Sequence, residues 1–87
     1  MRYVERGNEL IEEGDVAGAR LYYQRAVDLG LANAAIALAE TYDPNELSRW
    51  RVRGLRPDIE EAKRWYEHAL KLGASEATER LKRLTAR

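Results

Sequence analysis

A chain of 87 residues without cysteine can form neither disulfides nor thiolate metal sites, and its length suits one small domain that buries about 60% of its unfolded surface. Fifteen Lys/Arg balance fifteen Asp/Glu to a net charge of zero, which argues against the uniformly basic face of a nucleic-acid binder. MRYVERGNEL contains no apolar run of signal-peptide length and no stretch suits a membrane span, so no membrane insertion is expected; the compartment stays open, cytoplasmic only for the chain as given. The charge is unevenly spread. Residues 1–46 carry four basic and nine acidic side chains, and residues 47–87 carry eleven and six, a dipole of −5 against +5 that favours association.

In chain order, the first predicted helix runs from about Tyr3 to Glu13, with Tyr3, Leu10 and Ile11 on one side and Gly14 as its stop. Asp15 caps a second helix, in which Val16, Ala19, Tyr22, Tyr23, Ala26 and Leu29 follow i, i+3, i+4, i+7 spacing up to Gly30. The third, about Ala32 to Tyr42, is almost entirely small and aliphatic and is expected to be the most buried. Asp43-Pro44-Asn45 signals a turn, Glu46 to Arg51 suits one or two helical turns, and Gly54 breaks the chain again. Pro57 and Asp58 then open a fourth main helix carrying Ile59, Ala62, Trp65, Tyr66, Ala69, Leu70 and Leu72, which Gly73 ends. Ser75 is expected to cap a fifth, with Ala77, Leu81 and Leu84 inward and Glu79, Arg80, Lys82, Arg83 and Arg87 in water.

A segment of 24 residues across the second and third helices recurs 43 positions later across the fourth and fifth: Asp15, Ala19, Tyr23, Ala26, Leu29, Gly30, Ala34 and Leu38 return as Asp58, Ala62, Tyr66, Ala69, Leu72, Gly73, Ala77 and Leu81. Helical units at a fixed period indicate an α-solenoid, because such units bury their apolar faces only by stacking. The chain also resembles tetratricopeptide repeats, specifically their Sel-one-like relatives. The pattern falls on Tyr3, Gly7, Leu10, Gly14-Asp15, Ala19, Tyr23 and Ala26, then on Leu38, Ala39, Tyr42, Asp58, Ala62, Tyr66 and Ala69, with Trp65-Tyr66 and Ala69 matching a WY-x-x-A signature. Ala39 stands where the family usually has Gly, and the 43-residue period exceeds the usual unit of roughly 34 to 40. The surplus falls in residues 43–56. The expected fold is an all-α superhelix of two helix-turn-helix repeats, residues 1–30 and 31–73, closed by a capping helix over residues 74–87, with five main helices in a single domain.

The resemblance implies a concave groove lined by the first helix of each unit. Carried across, its positions are Val4, Asn8, Ile11 and Glu12, then Asn33, Ile36, Glu40 and Asp43, with Asn8 matching an Asn that holds peptide backbone in the family. Core packing also explains Val4, Ile11 and Ile36, and an ordinary wet face explains Glu12. The loop residues Arg49, Trp50, Arg51 and Arg53 form a second candidate, because Arg and Trp are enriched at binding hot spots. The bland alternative is that Trp50, Val52 and Leu55 fold back over the helices.

The aromatic pairs Tyr22-Tyr23 and Trp65-Tyr66 have the helical phase of core and seam residues, and His68, the single histidine, reads as a solvated surface residue with no Cys or second His to build a metal site. Glu60-Glu61 begins a helix, where acid complements the dipole. No catalytic grouping, cofactor motif or metal set emerges. The expected role is therefore a non-enzymatic module that binds a peptide or partner helix. The alternatives are self-association as a dimer or head-to-tail stack, and a consensus-designed scaffold with no native partner. Oligonucleotide binding through Arg49, Trp50, Arg51, Arg53 and Arg56 ranks last because the net charge is zero.

Overall fold

The computed structural model of the chain describes residues 2–50 and 55–86. Among these there are six helices and no strand: α1 (Tyr3–Glu12), α2 (Val16–Asp28), α3 (Ala32–Glu40), α4 (Pro44–Leu47), α5 (Ile59–Lys71) and α6 (Ala77–Thr85). Local chemistry sets the ends of the two longest. The Asp15 carboxylate accepts the Gly18 N–H at 2.8 Å, and the Asp58 carboxylate accepts the Glu61 N–H at 3.1 Å, so each satisfies a donor that the first helical turn leaves free. At the other end, Leu31 N–H reaches back to the Ala26 carbonyl at 3.2 Å and Ala74 N–H to the Ala69 carbonyl at 2.9 Å. These six-residue closures require the intervening Gly30 and Gly73 to take φ of 84° and 102°, the left-handed region that disfavours residues with a Cβ.

Apart from the short α4, each helix packs on the next one along the chain. Helix α1 lies on α2, α2 on α3, α3 on α5 and α5 on α6, while α4 touches α6. The Cα extents of 33 × 30 × 16 Å leave depth for two layers of helices spaced about 10 Å apart. Helix α3 occupies the middle because Ala34, Ala35 and Ala39 present only methyl groups and let α2 and α5 approach its backbone. One apolar cluster joins Leu10, Ala19, Tyr23 and Leu38, and a larger one spreads around Ala35, Tyr66 and Leu84. Val4, Tyr42 and Trp65 pack against both and so unite them. The α1–α2 contact is close enough to require Gly7, since a Cβ there would sit 2.5 Å from the Tyr23 ring.

Several local expectations need correction. Ser75 caps nothing. Helix α6 begins at Ala77 with Glu76 in the cap position and no side-chain cap bond, because the Ala74 and Ser75 carbonyls already accept from Ala77 and Thr78. Asp43-Pro44 is a helix start rather than a bare turn, with Asp43 accepting the Asn45 N–H at 2.8 Å, so α4 occupies Pro44–Leu47 and makes a sixth helix. Helix α3 stops at Glu40, two residues early. There the Thr41 hydroxyl donates to the Leu38 carbonyl at 2.6 Å, and the Thr41 carbonyl accepts from Arg20 at 2.7 Å. The ends of the following excursion are tied together, since Asp58 N–H donates to the Tyr42 carbonyl at 2.8 Å.

Candidate functional site, a groove between the first and third helices

On α1, Asn8, Ile11 and Glu12 stand three and four residues apart and therefore share a face. On α3, Ala37 and Glu40 do the same. Between the two helices lies a hollow of about 320 Å³, lined by these five residues together with Tyr23 from α2 and Trp50 from the turn after α4. The Tyr23 hydroxyl donates to Asn8 Oδ1 at 2.6 Å, which fixes the amide and leaves its N–H groups for another acceptor. Burial, helped by the nearby Glu40 charge, pushes the Tyr23 hydroxyl up to about 12, so it remains a donor at neutral pH.

Glu40 is anchored from behind, where its carboxylate pairs with Arg80 on α6. Burial raises its pKa above the ordinary value and the Arg80 hydrogen bond opposes that rise, while Glu46 and Asp43 add repulsion. Arg80 also lies 4.0 Å from Glu46, and Arg49 meets the other Glu46 oxygen at 3.4 Å. Burial alone would lower the Arg80 pKa, but its bonds to Glu40 and Tyr66 outweigh that and raise it. The Tyr66 hydroxyl donates to Asp43 at 2.6 Å, a contact that, after burial itself, drives the phenol pKa upward. A second clamp holds the end of α3. Arg20 donates to the Thr41 hydroxyl at 2.9 Å and stacks 3.9 Å above the Tyr42 ring. Glu40 therefore projects from a backbone fixed on both sides.

Of the residues expected in a groove or at its rim, Asn8, Ile11, Glu12, Glu40 and Trp50 line this hollow. Val4 is half-buried and packs against both apolar clusters, and Asn33 is exposed near the start of α3, outside the lining. Ile36 and Asp43 are buried and lie outside the lining. Their exposures of 6% and 1% place Ile36 in the core and Asp43 beneath Tyr66, because α3 is enclosed by α2 and α5. Arg49 is exposed and pairs with Glu46, whereas Arg51 and Arg53 lie outside the described residues.

Ala37, Tyr23 and Arg80 join the site without having been expected in it. Tyr23 has the phase of a core residue and is one, yet its hydroxyl end reaches the hollow. Arg80 belongs to a helix face that reads as wet, but it folds down onto a carboxylate 40 residues away, a pairing with no local signal. His68 also departs from a solvated surface residue, being half-buried and edge-on to Trp65 at 5.8 Å.

The described residues also frame a hollow of about 330 Å³ at Tyr3, Leu21, Tyr22 and Arg25 and one of about 300 Å³ at Arg64, Trp65, Glu67, His68 and Lys71. Among the described residues no set of three His, Cys, Asp or Glu side chains is placed to hold a metal ion, and no helix is long and apolar enough to cross a membrane. Comparison with protein-family models, curated proteins and solved structures finds no match to this chain.

Proposed function

We propose that this chain is a tetratricopeptide-like binding module, two stacked helix hairpins with α6 as a cap, whose groove between α1 and α3 receives a peptide segment of a partner protein. One observation carries the reading: Asn8, Ile11, Glu12, Glu40 and Trp50, drawn from three separate stretches of chain, converge on one hollow of about 320 Å³. Its chemistry suits a peptide. The Asn8 amide has N–H groups to offer a backbone carbonyl, Ile11 and Ala37 offer apolar area, and Trp50 supplies an aromatic anchor at the rim.

The repeat reading draws support from helix ends. The Asp15 cap and the Leu31-to-Ala26 closure have counterparts 43 positions later in the Asp58 cap and the Ala74-to-Ala69 closure. The excursion over residues 43–57 leaves that pattern intact. Asp58 N–H finds the carbonyl of Tyr42 as Asp15 N–H finds that of Leu10, at 2.8 Å in each case.

Selection from a displayed random-peptide library tests the proposal. Peptides captured by the native chain should be lost on Trp50→Ala and retained on Leu21→Asp. Capture that survives Trp50→Ala and disappears on Leu21→Asp would refute it.

That second arm also addresses the rival reading, self-association. Leu21 is 68% exposed beside Tyr3 and Tyr22 on the open flank of α1 and α2, where another copy would stack.

A further inference from the structure

We infer that the groove selects a cationic side chain, a lysine or arginine presented by the bound peptide, seated against the Trp50 ring with Glu12 and Glu40 as its counter-charges. This inference rests on the groove being a peptide site and specifies what that peptide must carry.

Among the described residues the groove's charged lining is Glu12 and Glu40, with no Lys, Arg or His. Glu12 is exposed and forms no ion pair among the described residues. Glu40 has Arg80, but that guanidinium also faces Glu46, and Asp43 is buried close behind. Arg49, which pairs with Glu46 from the outer side, sits largely in water. Of these carboxylates Glu40 reaches the hollow, and with Glu12 opposite it sets an acidic lining beside a low-dielectric wall that strengthens its field.

The remaining lining suits the uncharged part of the same side chain. Ile11 and Ala37 give an apolar surface for a methylene stem, which long basic residues bury while their head groups stay polar. Trp50 places the aromatic type most effective in cation–π contact at the rim. A carboxylate ligand would meet Glu12 and Glu40, with no cation among the described lining residues to compensate. The acidity is specific to this hollow, since the one on α5 is lined by Arg64, His68 and Lys71 against a single Glu67.

Calorimetric titration of the whole chain with capped alanine-rich heptapeptides tests this, the central residue being lysine, arginine, citrulline, norleucine or glutamate. The lysine and arginine peptides are expected to bind about tenfold tighter than citrulline and norleucine, and glutamate weakest. Glu12→Gln should shrink that preference to a few-fold, and its exposed position leaves the fold intact, which circular dichroism checks. Equal affinity across the neutral and basic peptides would overturn the cation inference while leaving the groove reading in place. Tightest binding of the glutamate peptide would overturn it as well. Failure of all five to bind would overturn both.

Discussion

Tyr23 and Tyr66 occupy matching positions in the 43-residue pattern, yet their hydroxyls serve different ends. Tyr23 meets the exposed Asn8, where water can replace a lost bond, whereas Tyr66 meets the buried Asp43. Tyr66→Phe should therefore cost about 1–3 kcal/mol, and Tyr23→Phe only about 0.5–1.5 kcal/mol, as read from urea unfolding midpoints at neutral pH. Equal losses would show that Asp43 finds another donor. Gly7→Ala sets a gain in helix propensity of about 0.5–1 kcal/mol against a Cβ 2.5 Å from the Tyr23 ring. The displaced ring should win, leaving a net loss of about 1–2 kcal/mol in the same assay.

Glu40 gives a pH dependence. Burial raises its folded-state pKa above the ordinary 4.5, so the native state holds that proton more tightly than the unfolded chain. Its contribution to stability is fully present below about 4.5 and is lost as pH rises through the elevated native value. The native chain should therefore lose stability relative to Glu40→Gln over that acidic window. A difference that stays constant or grows with pH would contradict this.

The core tyrosines were legible at this scale because helical phase alone places them. Arg80 was not, since its partners Glu40 and Glu46 sit on elements that meet it only after folding.

Among the elements, α2 and α5 were the most legible, because Asp and Gly mark their ends by chemistry that acts within a few residues. Asp15→Ala and Asp58→Ala should each cost about 1 kcal/mol, whereas Ser75→Ala should change stability by less than about 0.5 kcal/mol, since α6 starts without a side-chain cap. A Ser75 loss equal to that of the aspartates would contradict the cap assignment. Helix α4 was harder to read. Asp-Pro-Asn signals a turn and a helix start equally well, and the outcome depends on Tyr66 and Arg80, which hold Asp43 and Glu46 from distant parts of the chain. The same tertiary grip separates the expected groove positions. Helical spacing puts Ile36 and Glu40 one turn apart, but burial of α3 on both sides turns Ile36 inward and leaves Glu40 at the edge.

For the whole molecule, α1, α2, α3, α5 and α6 pack in chain order with α4 set aside, and the succession of the five main helices was legible. How the termini of α1 and α3 frame a hollow was not, because it depends on interhelical angles that no local pattern encodes. The charge asymmetry has a consequence at this scale. A cationic peptide approaching the acidic groove should associate faster at low ionic strength, and its affinity should fall several-fold between about 0.01 M and 1 M salt as the Debye length shrinks from about 30 to 3 Å. An affinity that rises with salt would assign the binding to apolar contact instead. Light scattering at both salt extremes reads the competing self-association: a monomer throughout leaves the groove open, and a dimer that dissociates with salt would make the charge dipole an assembly device.

The most direct measurement is a ¹H–¹⁵N NMR titration of the whole chain with the lysine-centred heptapeptide. Shifts are expected to concentrate at Asn8, Ile11, Glu12, Ala37 and Glu40 and at the Trp50 indole N–H. Shifts gathered instead around Tyr3, Leu21, Tyr22 and Arg25, or none at saturating peptide, would contradict it.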